Sequence, residues 1–187
     1  MAVYAVTLAR GLLDAGLIQF GWFRRDGASV PVALHLDMLA SYPDLLQQAA
    51  LEAQDKVAGL RTNRLLCTAD ALPFGVAVSL RCGVPLVYSR GTTDSPVFDL
   101  IGAYDIGHPA LLLTNSVGDG DAHAPLVSAA RRVGLETHTL LTILGEVRPA
   151  SQPDGITVLP LLRLADIVRE MGDDGRLAAG HVRAVLD

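Results

Sequence analysis

Asp119 and Asp121 are the groups with the clearest chemical potential in this sequence. They lie in the run Thr114-Asn115-Ser116-Val117-Gly118-Asp119-Gly120-Asp121-Ala122. Paired carboxylates on a loop can hold a metal ion or move a proton, and they also occur simply as solvated turn residues. The flanking elements set what the loop can do. Ala110–Leu113 is wholly apolar, as in a strand buried on both faces of a parallel sheet. Pro125–Val133 places Leu126, Ala129, Ala130 and Val133 on one face of a helix, and Gly134 sits where a C-cap glycine belongs. Thr137–Leu144 reads as the next strand. The loop therefore leaves a strand's carboxyl end and enters a helix's amino end. Backbone N–H groups converge there and the helix dipole favours an anion. The loop is either an anion site or an ordinary connection in which Asp121 caps the helix.

Other reactive groups are few. Lys56 is the single lysine among 15 basic residues, so a mechanism needing a mobile lysine has one candidate. Cys67 and Cys82 are too few and too isolated for a metal cluster or a disulfide framework, and no metal site is expected. They read as buried free thiols of a reducing cytoplasm. With 187 residues, 50% hydrophobic and 19% charged, the chain can bury a core as one domain, residues 1–187. A net charge of −5 argues against nucleic acid as the main partner. No run is long enough to span a bilayer, and the start lacks the apolar core of a leader peptide.

The remaining elements follow in order. Val6–Ala15 reads as a helix stopped by Gly16, Leu17–Phe23 as an aromatic-rich strand, and Val30–Leu36 as its return after the Asp26-Gly27 turn. A helix runs from Tyr42–Asp44 to about Ala58 with Leu45, Leu46, Ala49, Ala50, Ala53 and Val57 buried. Arg64–Thr68 and Val84–Tyr88 are strands on either side of a small-residue helix, Phe74–Cys82. Ser89–His108 is a polar connection with little periodicity, and Arg148–Asp154 a proline-containing loop. Ile156–Leu162 is apolar, Leu164–Met171 helical, and Arg176–Asp187 a terminal helix. Strand, helix and strand alternate, so the fold class is α/β with a parallel sheet flanked by helices.

The pieces LLDAGLIQFGWF, SYPDLL, CGVPLVYSRG, ALLLTNSVGDGDAHAPLVSAARRVGLE and GITVLPLLRLADIVREMG, in that order, resemble an orotate phosphoribosyltransferase of the type I phosphoribosyltransferase family. The resemblance covers nearly the whole chain. It implies a type I phosphoribosyltransferase-like sheet. Residues 1–40 would form a small hairpin-and-helix hood together with the C-terminal part. It implies transfer of phosphoribosyl from phosphoribosyl pyrophosphate (PRPP) to a pyrimidine base with Mg²⁺ in the cytoplasm, and a homodimer. It places Thr114–Ala122 at the phosphate and ribose loop, Thr68-Ala69-Asp70-Ala71 at the pyrophosphate loop, and Arg90 at the arginine of an Arg-Lys pair.

The departures from that pattern are chemical. The family's two adjacent ribose-binding acids fall on Thr114 and Asn115. Asp119 and Asp121 fall where a phosphate dianion would sit. At about 4 Å two like charges repel by ~1 kcal/mol in water and by more in a drier site. The helix dipole returns only ~0.3–1 kcal/mol. The pyrophosphate loop lacks glycine and gains Asp70, and Gly91 replaces the lysine beside Arg90. Two function classes follow. One is a phosphoribosyl-transferring enzyme using PRPP and Mg²⁺. The other is an inactive protein of the same fold that binds a nucleotide, a nucleobase or a protein partner. No residue is assigned a catalytic role.

Overall fold

A computed structural model describes residues 3–25, 27–90, 100–117, 123–145 and 155–186. Helix α1 (Val3–Asp14) leads into an antiparallel hairpin of β1 (Ile18–Arg25) and β2 (Ala28–Leu34). Helix α2 (Pro43–Ala58), β3 (Arg64–Cys67), α3 (Leu72–Cys82) and β4 (Leu86–Ser89) follow. Then come β5 (Leu100–Ile101), β6 (Pro109–Val117), α4 (Ala124–Arg132) and β7 (Glu136–Gly145). The chain ends with β8 (Thr157–Arg163), α5 (Leu164–Asp173) and α6 (Ala179–Leu186). Proline occupies the first turn of α2, α3 and α4, where its missing N–H has no intrahelical partner to lose.

Six strands form the main sheet in the order β5-β4-β3-β6-β7-β8. All neighbours are parallel except β4 and β5. Alternate side chains feed two cores. Leu65, Cys67, Leu111 and Leu113 join α1, α2, α3 and α5 on one face. Leu66, Leu112 and Leu140 pack under Leu126, Val127 and Ala130 of α4 on the other. This double burial explains why β3 and β6 read as unbroken apolar runs. The hairpin reaches the C-terminal segment, with the Trp22 ring 5.2 Å from that of His181 on α6.

Several boundaries differ from the sequence reading. Thr114–Val117, read as the start of a turn, continues β6, because Thr114 pairs with Thr142 and Ser116 with Leu144 of β7. Leu100–Ile101, inside a stretch read as aperiodic, pairs with β4 over two residues, too few to show a period. Cys67 is buried as expected, whereas Cys82 at the end of α3 is only half-buried. Gly134 adopts φ +83°, the left-handed cap expected after α4. Asp26, residues 92–99 and Arg148–Asp154 lie outside the described residues. Among the described residues, no helix is long and apolar enough to cross a membrane.

Candidate functional site

The carboxyl ends of β3, β4 and β6 lie along one rim of the sheet, where ligands of open α/β folds bind. Cys67 pairs with Leu113, so Thr68 and Thr114 reach this rim side by side. The two loops singled out in the sequence are thus brought together, as far as they are described. Gly118, Asp119, Gly120, Asp121 and Ala122 lie outside the described residues, and with them the reading of Asp121 as a cap.

The described part of the rim is polar and largely dry. Thr68, Thr114 and Asn115 are buried, with Ala71 fully so, while Ala69, Asp70 and Ser116 are half-buried. Val117 points into the α4 core. Asn115 donates from Nδ2 to the main-chain carbonyl of Asp70 at 2.9 Å, which ties the end of β6 to the turn after β3. The Thr114 hydroxyl donates to the Ser116 carbonyl at 3.3 Å. Thr68 lies before a single 3-10 turn, Ala69–Ala71, closed by the Ala71 N–H on the Thr68 carbonyl at 3.2 Å. Its own buried hydroxyl has no hydrogen-bond partner among the described residues. Arg90, exposed, follows the end of β4.

One residue of this rim was missed in the sequence. His123, 4% exposed, stands at the N-cap of α4, and its Nε2 lies 3.3 Å from the Ser116 carbonyl. A carbonyl only accepts, so Nε2 is the donor in this contact. The side chain thereby bridges the two ends of the loop that follows β6. Burial pushes this imidazole below its ordinary pKa, and the Ser116 bond and the Asp70 carboxylate offset part of that push. A histidine just before a helical pattern was the available signal. At the end of β3, burial and then the Asp70 charge push the Cys67 thiol up to about 12, so it stays protonated and is no nucleophile at neutral pH.

Magnesium favours hard oxygen ligands, usually one or two carboxylates together with phosphate oxygens. The described end of β6 offers instead a hydroxyl and a carboxamide, both already engaged. These residues do not fit Mg²⁺ in the manner the resemblance implies. Among the described residues no group of three or more His, Cys, Asp or Glu could hold a metal. Away from the rim, an open groove of about 400 Å³ lies between α5 and α6, lined by Arg169, Leu177 and Val182 among others. It shares no residue with the rim.

No family model matches the sequence, and no curated protein matches it. Solved structures do match. The UMP synthase of Leishmania donovani superposes with a TM-score of 0.85 at 23% identity over 97% of this chain. The fold is that of a type I phosphoribosyltransferase. This chain spans 42% of the length of that UMP synthase. The orotate phosphoribosyltransferase of Aeropyrum pernix matches with a TM-score of 0.72 and 19% identity, over 88% of this chain and 98% of its own. That of Mycobacterium tuberculosis, solved in complex with PRPP, matches with 0.71 and 16%, over 88% and 98%. The type I phosphoribosyltransferase-like sheet and the antiparallel hairpin expected from the sequence are both present.

Proposed function

We propose that this is an orotate phosphoribosyltransferase-like protein of pyrimidine nucleotide metabolism that binds a pyrimidine nucleobase or nucleotide at the rim and transfers phosphoribosyl poorly or not at all. The observation that carries the reading is the Asn115–Asp70 bond. In the family pattern that position of β6 supplies an acid for ribose hydroxyls. Here it supplies a buried amide whose N–H₂ is spent on the neighbouring turn. Stabilising a pyrophosphate leaving group takes cations or a metal aimed where charge develops. The turn after β3 carries Asp70 and no cation, which supports weak transfer.

The second reading is active transfer from PRPP with Mg²⁺. It is favoured by Arg90 at the family's arginine position and by the PRPP complex of the M. tuberculosis neighbour. A homodimer belongs to either reading. Val76 and Leu80, one turn apart on α3 and 43% and 82% exposed, form an apolar surface a second copy would cover. Light scattering measures that directly.

Thermal unfolding with uracil, uridine, orotate, UMP and PRPP tests the main reading. A ligand at 100 times its dissociation constant adds about 2.7 kcal/mol, which raises the midpoint by roughly 5–10 °C for a chain of this size. A shift with at least one pyrimidine compound is expected. No shift with any of them overturns the reading.

A further inference from the structure

The groove between α5 and α6 has a volume of about 400 Å³ and lies away from the rim. Helix α5 anchors one wall, because Leu164, Ala165, Ile167 and Val168 are buried in the core. Its last turns carry Arg169, Gly172 and Asp173 into the groove lining. The turn that follows is fixed by the Arg176 and Leu177 N–H groups, which donate to the Met171 carbonyl at 2.9 and 3.1 Å. The two helices touch at Gly172, where an added Cβ would lie 2.9 Å from Val182 Cγ2. The groove therefore holds its shape without a ligand.

The far wall is thinly covered. Helix α6 has no fully buried residue, and Val182, Val185 and Leu186 are only partly covered by the core. Leu177, Ala179 and Val182 give the groove an apolar floor. An apolar body laid there removes that surface from water.

The charges at the mouth are not equivalent. Arg169 is engaged by Asp166 at 3.3 Å on its own helix. Arg183, exposed on α6, has no ion-pair or hydrogen-bond partner among the described residues. Asp173, the acid of the lining, makes no ion pair with it. A planar guanidinium beside apolar surface suits a carboxylate, which it can grip through two N–H groups. A volume of about 400 Å³ is in the range of small-molecule pockets, about 300–1,000 Å³, which are mostly apolar with a few placed polar groups.

We propose that the α5–α6 groove binds a small organic anion with an apolar body, a carboxylate attached to a short hydrocarbon, with Arg183 holding the carboxylate and Leu177, Ala179 and Val182 covering the hydrocarbon. The site shares no residue with the rim, so it stands or falls separately from the nucleotide reading.

Isothermal titration of the full chain with decanoate tests it, with acetate and decyltrimethylammonium as the two controls. Decanoate is expected to bind at one site per chain, and each control at least about tenfold more weakly. Arg183→Gln should weaken decanoate roughly tenfold, the loss of one charge-assisted contact, and Arg183→Lys should restore part of it. Ala179→Phe fills the groove from an exposed position and should abolish binding. Both changed residues are exposed, so the thermal midpoints of the variants should match wild type. Absence of decanoate binding overturns the proposal. So does equal binding of the cationic control, or binding that both variants leave unchanged. Decanoate binding that fades as protein concentration rises would show a second copy covering the groove, and would overturn it too.

Discussion

Asn115→Asp restores an acid of the family's pattern, and it should cost stability without giving activity. Asn115 is 7% exposed, and its amide donates to the Asp70 carbonyl at 2.9 Å. The substitution replaces that N–H donor with a carboxylate oxygen facing a carbonyl oxygen. Leaving a buried acceptor unpaired costs about 1–3 kcal/mol, and placing a charge there adds to it. A loss of about 2–4 kcal/mol at pH 7.5 follows, which lowers the thermal midpoint by roughly 4–16 °C. The pH dependence is the sharper signature. Burial and the facing carbonyl disfavour the ionised form, so the folded pKa of the new carboxyl is raised. Below that pKa its O–H donates to the Asp70 carbonyl and the bond returns. The gap between wild type and variant in urea unfolding should therefore narrow as pH falls from 7.5 toward 4.5. An equal gap at both pH values, or no gap at pH 7.5, would refute the assignment of this bond. Pyrophosphate release from PRPP by the variant should stay at background.

Three further outcomes follow from the same geometry. The folded pKa of His123 is lowered, so its contribution to stability is complete above the unfolded value near 6.5 and is lost as pH falls from there toward the folded pKa. The urea midpoint of wild type should drop more between pH 7.5 and 5 than that of His123→Gln, and parallel drops would count against the buried neutral imidazole. Cys67, buried and pushed up to about 12, should resist a thiol reagent at pH 8 until the protein is unfolded, and rapid native-state labelling of both cysteines would contradict its burial. Gly102 sits at φ +135°, and a Cβ there would lie 2.9 Å from the Leu86 carbonyl and 3.0 Å from the Val87 Cα. Gly102→Ala should therefore destabilise by about 2 kcal/mol or more, and an unchanged midpoint in thermal unfolding would show that the segment after β5 yields.

The sheet was legible because its strands are buried on both faces. Leu65–Cys67 and Leu111–Leu113 carry no polar residue to confuse the reading, and the helices between them keep a clear apolar stripe. The rim was less legible for a physical reason. Thr114, Asn115 and Ser116 have the composition of a turn, and only the pairing with β7 and two internal bonds make them the end of a buried strand. His123 gave no periodic signal. Its Nε2 meets the Ser116 carbonyl, seven residues away in the chain, a contact no sequence pattern announces. That the Thr68 hydroxyl has no partner among the described residues is likewise invisible in a sequence, because a missing partner is a property of three dimensions.

The central claim is that the family's ribose-binding acids, pyrophosphate-loop glycine and lysine are replaced at this rim, with Arg90 retained, and that transfer is lost with them. Release of pyrophosphate from PRPP by the purified protein, with Mg²⁺ and saturating orotate or uracil, tests it most directly. The rate should equal that of the buffer blank over hours. Steady multiple turnovers that disappear in Arg90→Ala would contradict it.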